Sequence, residues 1–298
     1  MADFCSETIT FAATGDSFIT RLLPDRNRPE VQAVRHVIRQ GDFRFTNLEV
    51  TIHHHEAYPA AVSGGTWAAA PPQVLEELKH YGFNAVAWAN NHTMDFGLDG
   101  LLLTEQYLNE AGLIHAGAGA NLAEASAPKY VETPNGRVAF IAASSTFHET
   151  WIAGEQRPEI QGRPGLNPLR FQTKYIVTEQ QFAQLKEIAA ATGMNAEHEL
   201  LLEEGFVPAP PEGVFRFGDA LFQPSTVHGG TEGTSPGKMT TADERDVRRI
   251  KRAIAEAQRQ ADYVVISIHS HEMDGKNKSA PAQFLRPFAR TCIDQGAN

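Results

Sequence analysis

The sequence predicts an α/β fold built on a largely parallel, two-faced sheet. Three observations carry this. Short apolar stretches alternate with amphipathic helical stretches, the rhythm of βαβ units. The apolar runs have the length of buried strands and none approaches the ~20 residues of a membrane span. Polar, ligand-capable side chains follow directly on several of the strands, where open α/β sheets bind ligands.

The elements follow in order. Glu7 to Ala13 reads as a short strand running into Thr14-Gly15-Asp16-Ser17. Pro29 to Arg39 is helical, with Val31, Val34 and Ile38 on one face. Phe43 to Thr46 is a strand ending in Asn47-Leu48-Glu49. Pro71-Pro72 opens a helix through Lys79, and Gly82 ends it. Asn84 to Ala89 is a strand followed by Asn90-Asn91-His92, and Asp99 to Ala111 is a helix closed by Gly112. Arg137 to Ala143 is a strand, Thr241 to Ala261 a long helix, Tyr263 to Ile268 the most apolar strand, and Pro281 to Asp294 a last helix. Between about Ser145 and Lys238 the rhythm breaks around one helix pair, Thr178 to Ala191 and Ala196 to Glu204. This stretch reads as a long insertion with a mobile loop at Gly229 to Lys238.

Composition sets limits on function. With 42% hydrophobic and 21% charged residues, the 298-residue chain can build a core. Its net charge of −10 argues against nucleic acid as a partner, which needs a basic face. An anionic small-molecule or polymer substrate stays open, because a bound metal reverses the local field. Cys5 and Cys292 are no disulfide framework. The start, Met1 to Thr10, shows neither a basic nor an apolar leader region, so a cytoplasmic location is the default expectation. The sequence does not fix an oligomeric state.

Four segments share one design: Gly15-Asp16, Asn47-Leu48-Glu49, Asn91-His92 with Asp95, and His269-Ser270-His271-Glu272. In each, an apolar strand ends and polar groups follow. Such tips converge on one crevice although they lie far apart in the chain. Asp16 and Glu49 offer anionic oxygens, Asn91 a neutral carbonyl and His269 an imidazole. That mixed set suits Mn, Fe, Zn or Mg better than a thiolate site would. A bridging Glu49 fits a two-metal centre that activates water. His92 is placed to protonate a leaving group, and Asp95 to orient its ring.

Each segment alone has a plainer reading. Gly-Asp is a common turn, and Asn-Leu-Glu by itself is barely a signal. Three adjacent imidazoles at His53-His54-His55 cannot all face one ion and read as a solvated loop. His115 and His148 are lone, with core or surface duty expected. Gly117-Ala118-Gly119 has Leu122 where a dinucleotide loop needs its third glycine, and Gly237-Lys238 is preceded by Glu232 and followed by Met239 where a P-loop needs Gly and Ser or Thr. No Gly-x-Ser-x-Gly elbow is present.

The stretch from Asn84-Ala85-Val86 to Asn90-Asn91-His92-Thr93-Met94-Asp95-Phe96-Gly97 resembles the CapA family of capsule or poly-γ-glutamate synthesis proteins, a branch of the calcineurin-type metallophosphoesterases. Glu110-Ala111-Gly112, the run Gly117 to Ala125, Ala70-Pro71-Pro72 and Gly15-Asp16 resemble it too. The resemblance runs from Thr10 to about Leu169 and resumes at Asp262. It implies a four-layer α-β-β-α sandwich, with 1–298 as one CapA-like domain interrupted by the insertion at about 145–238. It also implies that Asp16, Glu49, Asn91 and His269 hold a divalent metal while His92 assists.

Two departures from the family stand out. Where it reads His-Trp-Gly-x-Glu, this chain has His269-Ser270-His271-Glu272, leaving open which of His271 and Glu272 takes the partner's part. The chain stops at Gly296-Ala297-Asn298, before the family's next strand and its Gly-His-x-Pro-His. The expectation is therefore a missing C-terminal portion and weak or partial metal binding. Three functions follow from this reading: a metal-dependent hydrolase acting on a phosphoester or γ-glutamyl amide, a non-catalytic part of a polymer synthesis or export assembly, or a metal-free Asp16/His269 acid–base enzyme.

Overall fold

The protein is described here by a computed structural model covering residues 8–225 and 235–298. It is a mixed α/β chain with several sheets and, among the described residues, eight α-helices. It divides into two compact units.

The first unit, 1–170, 244–273 and 287–298, is organised by two sheets. Strands β1 (Phe11–Ser17), β2 (Phe43–Leu48), β3 (Ala85–Ala87) and β4 (Ile114–Ala116) form a wholly parallel sheet in that order. Helices α1 (Pro29–Ile38), α2 (Val74–Tyr81) and α3 (Gly97–Ala111) provide the crossovers. Pro29 starts α1 with a fixed φ and no lost hydrogen bond. Gly82 and Gly112 end α2 and α3 in the left-handed conformation that a side chain resists.

The second sheet pairs β5 (Lys129–Thr133) antiparallel to β6 (Gly136–Ser144), and β6 parallel to β7 (Tyr263–His269). Alternation along β3 divides the core. Ala85 and Ala87 join Phe43, Ala116, Val131, Val138 and Phe140 in a cluster drawn from both sheets. Val86 and Trp88 face the other way, onto Leu75 and Leu78 of α2 and Leu101 and Leu108 of α3. Each large side chain buried there contributes about 1.5–3 kcal/mol. On the second sheet, α4 (Glu244–Ala257) packs against β6 and buries Ile250, Ala253, Ile254 and Ala257, one face at i, i+3, i+4, i+7.

The second unit, 171–243 and 274–286, holds its own four-stranded sheet. Phe171–Val177 pairs parallel to Ala220–Pro224 and antiparallel to Gly237–Ala242, and Phe215–Phe217 closes the far side. Thr178 and Gln181 form a reciprocal capping box that starts the helix Glu179–Thr192. A second helix spans Ala196–Glu203.

Several elements differ from expectation. β1 starts later than expected and carries Asp16 inside it, because a register shift between Ala13 and Asp16 lets the strand continue. Asn47 and Leu48 likewise belong to β2. The long helix expected from Thr241 starts at Glu244, since Thr241 and Ala242 are taken by a strand pairing with Phe171 and Gln172. The sequence reading had no strand over Lys129–Thr133 and no sheet in the stretch 145–238. Most of the loop expected at Gly229 to Lys238 lies outside the described residues, as does Cys5, and Gly237 and Lys238 are in a strand. Cys292 is a buried free thiol. No helix among the described residues is long and apolar enough to cross a membrane.

Candidate metal centre

All the polar residues singled out at strand tips lie in the first unit, and the topology brings them together. Parallel pairing sets Asp16 opposite Asn47, and Asn47 opposite Ala87, so the ends of β1, β2 and β3 align. His269 ends β7 beside Ser144 at the end of β6. Asn47 ties the two groups. Its amide donates to Asp16 Oδ1 at 2.7 Å and to His269 Nδ1 at 3.1 Å. Its carbonyl accepts from Asn90 Nδ2 at 3.0 Å. Asn90 in turn accepts from the His92 backbone N–H at 2.9 Å, which fixes the turn carrying Asn91 and His92.

Glu49, His269 and His271 form a triad able to hold a metal ion, with one ligand atom from each lying within 4.8 Å of the others. Glu49 Oε1 is 3.8 Å from His269 Nε2 and 4.0 Å from His271 Nε2. Ligand atoms at about 2.0–2.2 Å around one tetrahedral ion sit about 3.3–3.5 Å apart, so small side-chain shifts close the set. One carboxylate and two imidazoles suit a first-row divalent ion, and the donor set fits. Asn91 Oδ1 lies 2.7 Å from His269 Nε2, at the same edge of the ring. Asp16 approaches the other edge, 3.6 Å from Nδ1, and hydrogen-bonds to Glu49.

His92 and Asp95 form a second, fully packed group. His92 Nδ1 is 2.7 Å from Asp95 Oδ2, and Asp95 is wholly buried. The Asp95 carboxylate also accepts from the Gly64 N–H at 2.9 Å and the Ala68 N–H at 2.7 Å. It thereby pins the segment Gly64–Ala68 beside the site. Gly64 is obligatory there, because a Cβ would stand 2.1 Å from the Asn91 carbonyl oxygen. The Phe18 ring meets His92 edge-on at 5.2 Å.

The electrostatics are those of a strained site. Burial, then the neighbouring Asp16 charge, pushes the Glu49 carboxyl up to about 7. Burial pulls the His269 imidazole down to about 4, against the pull of Asp16. For His92, burial opposes the charged form, but the hydrogen bond and charge of Asp95 and the charge of Glu49 outweigh it, and its pKa rises. Perturbed groups of both kinds in one place mark a functional-site candidate.

Of the two residues left open, His271 belongs to the group that could hold a metal. The Glu272 carboxylate is held instead by the hydroxyls of Ser145, Thr146 and Ser270 at 2.6, 3.0 and 2.8 Å. Sequence reasoning passed over Asn47 and Asn90 as site residues, although both stand in the segments it flagged. It had no signal for Gly64 or Ala68, whose part depends on a loop that returns to Asp95. The expected solvated loop at His53-His54-His55 is corrected in one respect. His53 is fully buried and bonded to Thr51, with only His54 and His55 exposed. His115 is a core residue bonded to the Leu113 carbonyl.

Two uncharacterised proteins of Sinorhizobium fredii (strain NBRC 101917 / NGR234), y4sH and y4uA, are each 30% identical over 293 residues, 97% of this chain and 59% of their own length. The chain thus spans about three-fifths of these curated relatives. The capsule biosynthesis protein CapA of Bacillus anthracis is 28% identical over 170 residues, 55% of this chain and 40% of that protein. The family described as "Bacterial capsule synthesis protein PGA_cap" matches residues 10–298, nearly the whole chain that carries the Asp16 to His269 constellation, and the chain belongs to that family.

Proposed function

We propose that this chain is the metal-dependent hydrolase module of a capsule-biosynthesis protein, acting on a phosphoester or a γ-glutamyl amide. Its family and its similarity to CapA support the capsule role. The core shared by the two sheets, with helices against the first sheet and α4 on the second, supports a four-layer α-β-β-α arrangement for the first unit. The observation that carries the hydrolase reading is the Glu49, His269 and His271 triad with the His92–Asp95 pair alongside.

When bound, a divalent ion supplies a water of lowered pKa and polarises the scissile group. The chain's residues do the rest. Glu49, His269 and His271 would hold the ion, with Asn91 Oδ1, on the Nε2 side of the His269 ring, as a further oxygen donor. With an ion at Nε2 the His269 proton would sit on Nδ1, where Asp16 at 3.6 Å is the acceptor and the Asn47 amide would turn away. Asp95 holds His92 by Nδ1, so Nε2 is the atom left to give a proton to a leaving group. The upward pKa shift of His92 keeps that proton available near neutral pH.

The test is elemental analysis of the purified chain together with hydrolysis of a chromogenic phosphodiester and of a γ-glutamyl peptide. Activity that follows metal loading and is lost in His92→Ala and His269→Ala supports the reading. Metal binding with neither hydrolysis would favour a role within a synthesis or export assembly.

A further inference from the structure

A second site lies in the first unit and shares no residue with the metal centre. Helix α4 carries Arg245, Arg248, Arg249 and Arg252 at i, i+3, i+4 and i+7, a stripe about 10 Å long on a different face from its buried Ile250, Ala253, Ile254 and Ala257. A charged stripe on a helix is usually just solvated. Here it instead lines one wall of a cleft of about 680 Å³, to which Arg157 and Arg170 add two more guanidinium groups. That volume falls in the range of small-molecule sites. The lining holds six arginines against one carboxylate, Glu155, in a chain whose net charge is −10.

Two of the six are anchored from behind. Asp246, fully buried, accepts from Arg170 Nε and Nη2 at 2.8 and 2.7 Å and from Arg249 Nη1 at 2.5 Å. Arg249 also donates to Asn167 Oδ1. These bonds fix two planar forks at the base of the cleft, and Arg157, Arg245, Arg248 and Arg252 line its exposed rim, Arg248 pairing with Glu244 at 3.2 Å. Guanidinium groups match the paired oxygens of carboxylates and phosphates better than ammonium groups do. A spread of several forks favours a ligand that carries several such groups over a single small ion.

We propose that this arginine-lined cleft binds a multivalent oxyanion, a small molecule or chain segment bearing several phosphate or carboxylate groups.

Calorimetric titration of the full chain at low ionic strength tests it, with tripolyphosphate, butane-1,2,3,4-tetracarboxylate and inorganic phosphate as probes. At least one multivalent probe is expected to bind about ten-fold tighter than inorganic phosphate. The double variant Arg248→Gln/Arg252→Gln is expected to lose about ten-fold in that affinity. Lys251→Gln, half that charge change at an exposed residue outside the cleft lining, is expected to lose less than about two-fold. Thermal midpoints of both variants serve as the folding control. The more tightly bound of the two multivalent probes names the oxyanion. The proposal is overturned if neither multivalent probe binds, if inorganic phosphate binds as tightly, or if Lys251→Gln costs as much as the double variant.

Discussion

His269 Nε2 lies 2.7 Å from Asn91 Oδ1, joining the end of β7 to the turn after β3 across most of the sequence. With Asn47 donating to Nδ1, the neutral ring carries its proton on Nε2 and gives it to Asn91. The ring is thus clamped at both edges. Replacing Asn91 by Ala removes one clamp and one oxygen donor. Affinity for Zn²⁺ or Mn²⁺ should fall at least about ten-fold, read by competition with a chromogenic chelator. The fold should survive, with a cost of about 1–3 kcal/mol for the unpaired partners. Unchanged metal affinity would remove Asn91 from the site.

Glu49 gives a pH-dependent prediction with an unusual sign. Its folded-state pKa of about 7 lies above the ordinary 4.5, so the folded protein holds that proton more tightly than the unfolded chain. This contribution is fully present below pH 4.5 and is lost as pH rises through 7. At pH 8 the buried carboxylate costs the metal-free protein about 3 kcal/mol relative to acid pH. Glu49→Gln should therefore raise the thermal midpoint at pH 8 in the presence of chelator and change it little at pH 4. The same variant should bind metal poorly. A site residue that costs stability when ionised is expected of a ligand awaiting its cation. A Gln variant less stable at both pH values would count against this account.

The sequence made the parallel sheet and the four strand tips legible, because apolar runs ending in Asp16, Glu49, Asn91 and His269 follow from local patterning alone. What it hid were relations between distant segments. Asn47 looks like any polar residue until parallel pairing sets it opposite Asp16 and its amide reaches His269. Gly64 looks like a loop glycine until the chain returns and packs its Cα against the Asn91 carbonyl. The sheet over 171–242 was missed for another reason. Its strands are mostly only partly buried, so Phe171–Val177, Ala220–Pro224 and Gly237–Ala242 show little apolar alternation, and Phe215–Phe217 is three residues long.

His92 and Asp95 yield a prediction on the pH profile of hydrolysis. Asp95 raises the His92 pKa, so the alkaline limb of activity should lie above the range of an ordinary imidazole. Asp95→Asn removes the charge and leaves a hydrogen-bonding group of the same shape. The alkaline limb should move to lower pH and maximal turnover should fall by about 10²-fold. A lower turnover with an unmoved limb would make Asp95 a purely structural residue.

Gly64 offers a substitution whose effect comes from shape alone. A methyl at this position meets Asn91 backbone and amide atoms at 2.1 to 2.8 Å, and backbone cannot yield as a flexible side chain would. Gly64→Ala should displace the turn carrying Asn91 and cost about 1–3 kcal/mol. Its metal affinity should fall along with that of Asn91→Ala. Gly65, whose Cβ would meet nothing within 4 Å but whose φ is +134°, separates the two possible causes. Gly65→Ala tests backbone strain in the same loop, and it should lower stability while leaving metal affinity nearly intact.

Asp246 provides a stability prediction away from the metal centre. Burial opposes its charge, but the hydrogen bonds and charges of Arg170 and Arg249 outweigh that, and its pKa falls below the ordinary 3.8. The folded state thus releases this proton more readily than the unfolded chain. The resulting stability is present above pH 3.8 and is lost as pH falls through the lower folded value. Asp246→Ala strands two guanidinium groups at the base of the arginine cleft. At pH 7 it should cost about 2–4 kcal/mol, somewhat under the fully buried range because Arg170 is partly exposed. Urea unfolding at pH 7 and at pH 3 should show the gap between wild type and variant narrowing in acid. A gap of equal size at both would mean that Asp246 acts by packing and not through its charge.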